Sequence, residues 1–547
     1  MSSANANIAR HLALMAAASP AHAALKIPRG RTSAGDIDYL TLTFAELDAE
    51  VGAWSAHLAA ASIGRGDRTL IMVRQGLPLI ASVFALFRIG AVPVVIDPGM
   101  GLKNFLSCVA HSRPRALVGV PFARIASHVF RSAFSTVEIR VAARGSLTAR
   151  LTSSNAQPAA RGSQLADSAA TDLAAILFTS GSTGAPKGVC YEHGMFDAQV
   201  RLIRETYGIA PGEIDLPMLP IFALFNPALG MTTIVPELDP RCPAEIDPAK
   251  IIQAIRQENV TSSFGSPTLW KKIGDYCREK NIALPSLRRV LCAGAPVPAA
   301  LWKNSSVFLP KGKLHSPYGA TEALPVASVS ADEIDPSSVR GACVGRPLAA
   351  NEVKIIAVTD SPIATLADTR GLPRGEIGEI IVRGPSVTKC YDAQLEATAL
   401  AKISDGTTIW HRMGDCGYLD ADGRLWFCGR KAERVETATG TCHTEPCEQV
   451  FRSHPLAIRW ALIGLGPREQ QRPAIVAELN LPDSRARRAL ARELCELALA
   501  HEHTAAINLF YFHPKFPVDV RHNAKIHRLT LAKWAATAKG FESNPKR

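Results

Sequence analysis

The stretch TSGSTGAPKG, residues 179–188, gathers in ten positions the groups that hold an anion. Ser180, Ser182 and Thr183 offer hydroxyl donors, Gly181 and Gly184 let the backbone come close, and Lys187 adds positive charge. The familiar phosphate loop G-x-x-x-x-G-K-[ST] does not fit. Counted from Gly181, Pro186 stands at the second glycine, and Gly188 rather than a hydroxyl residue follows Lys187. A phosphate loop of another kind remains open, and so, for the loop alone, does a polar hairpin turn on the surface. Partners elsewhere in the chain must decide between them.

The surrounding elements alternate. TFAELDAEVGAWSAHLAAA reads as a helix and RTLIMV as a strand. LPLIASVFALFRIGAVPVVI, residues 77–96, has nearly the length of a membrane span, but Pro78, Arg88, Gly90 and Pro93 divide it into a buried helix, a turn and the strand AVPVVI. RALVGV continues the rhythm, and KIIQAIRQENVTSSFGSP and SLRRVLCAGAP repeat helix-then-strand, which points to α/β layers with mostly parallel strands. Residues 144–172, rich in Ala and Ser, read as a connector. From about residue 340, EVKIIAV, GEIGEIIVRG and GRLWFCGR suggest a β-rich subdomain, and a separate tail follows Gly429.

Composition removes several classes. A chain of 547 residues that is 47% hydrophobic supports more than one core. The net charge of +12 lacks the aromatic interleaving of a nucleic-acid surface, and its densest cluster, SRARRALARE at 484–493, reads as the polar face of a helix. Nucleic acid is therefore not expected as a partner. The 12 cysteines include no C-x-x-C pair, and Cys442, His443 and Cys447 are too few for a closed zinc site, so free thiols in a reducing compartment follow. RHLALMAAASPAHAALK loosely imitates a secretory leader, but Ser19 and Pro20 interrupt it, and an amphipathic opening helix is the better reading. The expectation is a cytoplasmic protein without an integral membrane segment.

Five motifs in order carry a resemblance: TSGSTGAPKG, CAGAP (292–296), YGATE (318–322), HRMGDCGYLDADGRLWFCGRKAERVE (411–436) and RHNAKIHR (521–528). Over roughly residues 40–535 the chain resembles the adenylate-forming superfamily of acyl- and aryl-CoA ligases, luciferases and peptide-synthetase adenylation domains. The resemblance implies an α/β fold. A large N-terminal domain, 1–429, would hold layered α/β subdomains plus a β-rich one, and a small mobile α+β domain, 430–547, would carry Lys525. It also implies ATP and Mg²⁺. Thr179, Ser180, Gly181, Ser182, Thr183, Gly184 and Lys187 would then cradle the β and γ phosphates. Gly294, Ala295 and Pro296 would wall the adenine, with Tyr318 stacking from the other side along the Gly319–Ala320–Thr321 turn. Glu322 and Thr179 would serve the magnesium, a hard cation that takes oxygen ligands. Asp415 would accept from the ribose hydroxyls, Arg430 would mark the domain border, and Lys525 would neutralise charge at the α-phosphate and the incoming carboxylate. Lys525, Glu322 and Thr321 are the expected catalytic set.

Two departures narrow the subfamily. Ala432 stands where the family carries a polar hinge residue, which removes the polar contacts expected at that pivot. LPIFALFNPALGMT puts Ala223 after Phe222, where common CoA ligases place a histidine-bearing element. That segment and FPVDVRHNAKI are similar to the β-lactone synthetases of bacterial long-chain olefin biosynthesis. Those enzymes adenylate a 2-alkyl-3-hydroxy acid and let its own hydroxyl displace AMP. The likeness implies that CoA is not needed, and that the lactone decarboxylase and ketone reductase of the pathway are assembly partners. Phe222, Ala223, Leu224, Phe225, Phe264 and Leu269 would line the alkyl pocket or simply pack the core. A long-chain fatty acyl-CoA ligase and an inactive acyl-binding scaffold are the alternatives. Lys187, Glu322, Asp415 and Lys525 are all present, which disfavours the scaffold.

Overall fold

The computed structural model describes residues 5–143, 165–179, 186–239, 245–335, 338–518 and 526–543. Most of the 144–172 connector therefore lies outside the described residues. Within them, the strands predicted near the phosphate loop form a six-stranded sheet, in the order 139–142, 116–119, 68–72, 92–96, 173–179 and 187–192. The first five run parallel and the last is antiparallel. Parallel strands need helical crossovers, and the run 77–96 supplies one. Its helix, Leu77–Arg88, starts at Gly76 with Pro78 in the first turn and is followed, after a turn, by the strand Val92–Ile96. The helix Phe44–Ala60 begins in a capping box, in which the Thr43 side chain accepts from the Glu46 N–H and the Glu46 carboxylate from the Thr43 N–H. The opening residues form the helix Arg10–Ala18, which buries Leu12 against the same core.

The second sheet has fourteen strands and joins two parts that read as distinct in the sequence. Its α/β part holds parallel neighbours 214–215, 262–265, 289–292 and 313–320, and its antiparallel part runs on through 323–330, 342–347 and 425–430 to 408–419. The β-rich region is thus a hydrogen-bonded continuation of the α/β sheet. From Val435 onward a further core forms around Phe451, Trp460, Leu494 and Phe510, beside a four-stranded sheet of 460–465, 472–478, 509–513 and 541–542. SRARRALARE opens the helix Ser484–Leu499, capped by the Asp483 side chain. Among the described residues no helix is long and apolar enough to cross a membrane.

One buried ion pair pins this architecture. Arg412 Nε donates to Glu379 Oε1 at 3.0 Å and its Nη2 to Oε2 at 2.7 Å, with both side chains at 1% exposure or less. Arg412 also donates to the carbonyls of Ser361, Thr359 and Leu400, and Lys431 Nζ reaches Glu379 Oε1 at 3.0 Å. Removing one partner of such a pair strands a charge in a medium that cannot solvate it. Arg412→Leu is accordingly expected to lose about 3–5 kcal/mol of unfolding free energy in urea titrations. A loss below about 1 kcal/mol would show that Lys431 alone satisfies Glu379.

Candidate active site

The candidate residues collect where strands end. In the six-stranded sheet, Thr179 closes its strand opposite Lys187, which opens the next. In the large sheet, Phe264, the CAGAP loop and the YGATE turn stand at the carboxyl ends of three parallel neighbours. That is where α/β sheets leave a crevice for ligands. Ser180, Gly181, Ser182, Thr183, Gly184 and Lys525 lie outside the described residues, as does the side chain of Thr179. Val518 and Ile526, which flank the segment containing Lys525, pair as an antiparallel bridge.

Thr321 and Glu322 form the tip of a tight antiparallel turn between 313–320 and 323–330. The turn requires Gly319, since a Cβ there would sit 2.6 Å from the Ala323 carbonyl. Gly294 takes φ +99, a left-handed conformation open to glycine at little cost, so the CAGAP loop bends away from its strand. Around the tip, Tyr191 donates its hydroxyl to the Thr321 carbonyl, Thr388 N–H donates to the Glu322 carbonyl at 2.8 Å, and Tyr391 donates its hydroxyl to Glu322 Oε1 at 2.7 Å. Lys187 Nζ stands 4.9 Å from the centre of the Tyr391 ring. A carboxylate held by one neutral donor, with a lysine nearby, is chemically suited to a hard divalent cation and the phosphates it bridges.

Asp415 is buried and shared. Tyr318 donates to its Oδ2 at 2.6 Å and Arg430 Nη1 to its Oδ1 at 2.7 Å. Burial, with the Asp415 carboxylate beside it, holds the Tyr318 phenol well above its usual range, so it stays a donor. Tyr318, expected against adenine, thus also ties the YGATE strand to the strand of Asp415.

The apolar residues divide. Phe222 stacks on Phe264 with centroids 3.7 Å apart, and Phe225 on Phe196 at 5.0 Å, in one cluster with buried Ala223 and half-buried Leu224. Asn226 anchors this segment by donating to Asp215 Oδ2 at 3.0 Å and Thr233 Oγ1 at 2.9 Å. Leu269 packs elsewhere, at 1% exposure in the cluster of Trp270 and Ile273.

The pivot corrects the sequence reading. Polar contacts are not missing there, but sit to either side of Ala432: Lys431 on Glu379, Glu433 on Arg528 at 2.9 Å, and Arg434 on Asp360 at 2.9 Å. Arg528, three residues after Lys525, also forks onto Glu448. Sequence reasoning passed over Tyr191, Thr388, Tyr391 and Lys402, none of which stands in a quoted motif.

Fold and site together define the class: the AMP-binding enzyme family matches residues 16–392, and the chain belongs to it. It is 44% identical over 548 residues to the olefin beta-lactone synthetase of Xanthomonas campestris pv. campestris, with 97% of each chain covered. The olefin beta-lactone synthetase of Stenotrophomonas maltophilia is also 44% identical, over 549 residues covering 97% of this chain and 98% of that one. Among solved structures, ATP-bound MatB from Rhodopseudomonas palustris has the same fold, with a TM-score of 0.77 at 22% identity over 97% of this chain and 99% of that one.

Lys402 carries a pH signature. Its ammonium is buried on the Thr388 carbonyl and Oγ1, and burial lowers its pKa from 10.5 to about 7, Lys187 acting in the same sense and Glu322 opposing. As pH falls from 10.5 towards 7 the unfolded lysine takes up a proton that the folded one does not, so its contribution to stability is lost across that window and is constant below it. Lys402→Met is expected to gain on wild type by a few kcal/mol, on the order of 1.4 per pH unit, over this range in urea titrations. A difference independent of pH would contradict the shift.

Proposed function

We propose that the protein is an ATP-dependent β-lactone synthetase acting on a long-chain 2-alkyl-3-hydroxy acid. The observation that carries this reading is the 44% identity over nearly the whole chain to two olefin beta-lactone synthetases. The substrate carboxylate attacks the α-phosphate of ATP and pyrophosphate leaves. The 3-hydroxyl then attacks the acyl carbonyl, releasing AMP and a proton and closing the four-membered ring. Glu322 and Thr179 hold the magnesium, Lys187 and the loop from Thr179 to Gly184 hold the phosphates, and Asp415 takes the ribose hydroxyls. Lys525, carried by a small domain of residues 430–547, neutralises the charge that gathers at phosphorus.

CoA is unnecessary because the nucleophile is already tethered. A held near-attack geometry equals an external nucleophile at ~10⁵ M or more. The stacked Phe222–Phe264 pair and Phe225 offer apolar surface for the alkyl chains, and exclusion of water protects the adenylate. In this reading the enzyme works in the cytoplasm beside the lactone decarboxylase and ketone reductase of the olefin route.

Two measurements test it. With ATP, magnesium and a synthetic 2-alkyl-3-hydroxy acid, NMR is expected to find β-lactone and AMP without CoA. A thioester formed only when CoA is added would instead make the protein a long-chain acyl-CoA ligase. Lys525→Ala is expected to bind ATP normally yet release pyrophosphate roughly 10²-fold more slowly, the scale of losing one preorganised donor. An unchanged rate would remove Lys525 from the chemistry.

A further inference from the structure

Tyr391 stands at the meeting point of three charges. It is buried at 4% exposure, and its backbone pairs with Val189 in an antiparallel bridge, while the Asp392 N–H donates to the Gly188 carbonyl at 2.7 Å. The residue is thereby sewn to the strand that opens with Lys187. From that position its hydroxyl donates to Glu322 Oε1 at 2.7 Å, and its ring lies 4.9 Å from Lys187 Nζ and 5.9 Å from Lys402 Nζ. One neutral side chain therefore touches both the carboxylate and the lysine that the phosphates need.

We propose that Tyr391 is a positioning residue for adenylation, aiming the Glu322 carboxylate through its hydroxyl and holding the Lys187 ammonium against its ring until the phosphates arrive. The inference rests on the reading above, in which Glu322 serves magnesium and Lys187 the phosphates. Its physical basis is the strength of each contact. A free lysine and a carboxylate that face the same ring attract each other and would consume each other's ligand positions. A phenol between them satisfies both with interactions weaker than an ion pair: a hydrogen bond from an uncharged donor on one side and a cation–π contact on the other. Neither cancels the charge it holds, so Glu322 stays aimed and Lys187 stays cationic for a magnesium–triphosphate. The main chain of Tyr391 is also held independently of these charged neighbours, because its N–H donates to Thr398 Oγ1 at 3.1 Å.

The test separates hydroxyl from ring. ATP affinity is measured by calorimetry at stepped magnesium concentrations, which requires no acid substrate, for wild type, Tyr391→Phe and Tyr391→Leu. Loss of a hydrogen bond to a charged group predicts that the Phe variant needs ~10-fold more magnesium to reach half of its gain in ATP affinity. Its affinity without magnesium should stay within ~2-fold of wild type, since the ring facing Lys187 remains. The Leu variant is expected to lose ATP affinity in both conditions. A Phe variant with the wild-type magnesium midpoint overturns the proposal even if the Leu variant misfolds. So does a Phe variant weakened equally with and without magnesium, because that is the mark of a merely structural role. A wild-type protein whose ATP affinity ignores magnesium altogether overturns the metal assignment of Glu322 itself, and the inference falls with it.

Discussion

Glu379 is a carboxylate with no access to water, and much of the site's geometry follows from how its charge is met. The Arg412 guanidinium forks onto it and Lys431 closes the remaining side. Arg412 lies three residues before Asp415 on the same strand, and Lys431 is the neighbour of Arg430, which itself donates to Asp415. Fixing Glu379 therefore fixes both the strand that presents Asp415 and the start of the segment leading to the C-terminal sheet. A hydrophobic triad of the same volume would stabilise such an interior as well or better. What the ions add is direction, since a guanidinium fork accepts one register of the facing strand.

The same economy governs the crevice. The two sheets bring together Thr179 and Lys187 from one and Glu322 from the other, and the contacts across them are made by uncharged phenols: Tyr191 to the Thr321 carbonyl and Tyr391 to Glu322. A third phenol, Tyr318, spans from the YGATE strand to Asp415. Phenols tolerate burial, keep a fixed ring plane and donate one hydrogen bond in a defined direction. A site proposed to take a polyanion and a cation gains from neutral scaffolding around Glu322, because a charged brace there would compete with the ligands.

Local signals carried far along this chain. The prolines and glycines of residues 77–96 marked a helix, turn and strand that the structure reproduces, because φ restrictions act within a few residues. The YGATE turn came from the family resemblance instead. Tyr391 and Lys402 were not, since the partner of Tyr391 lies 69 positions away and nothing in KCYDAQLEAT announces it. Ala432 misled in the opposite direction. One residue type was read as a property of the pivot, whereas Lys431, Glu433 and Arg434 find acids or bases that only folding brings near. Leu269 shows a related limit. Pocket lining and core packing were both open for it, and the structure takes the second: the strand ends at Gly265 and the following helix, capped by Ser266, turns Leu269 into another core.

The ion-paired pivot bears on how the proposed reaction is organised. Relatives that use CoA must admit an external thiol after the adenylate forms, and the family resemblance implies a small domain that is mobile. Here a rotation of residues 430–547 would have to separate two ion pairs, Lys431 on Glu379 and Arg434 on Asp360, of which the one on Glu379 is buried and cannot be replaced by water without cost. A substrate that carries its own nucleophile has no such requirement. Its hydroxyl and carbonyl are held in the same pocket from the start, and opening the site would expose the adenylate to hydrolysis. A tight pivot and an internal nucleophile therefore favour one another: the chemistry removes the need for the second conformation, and the ion pairs make that conformation expensive.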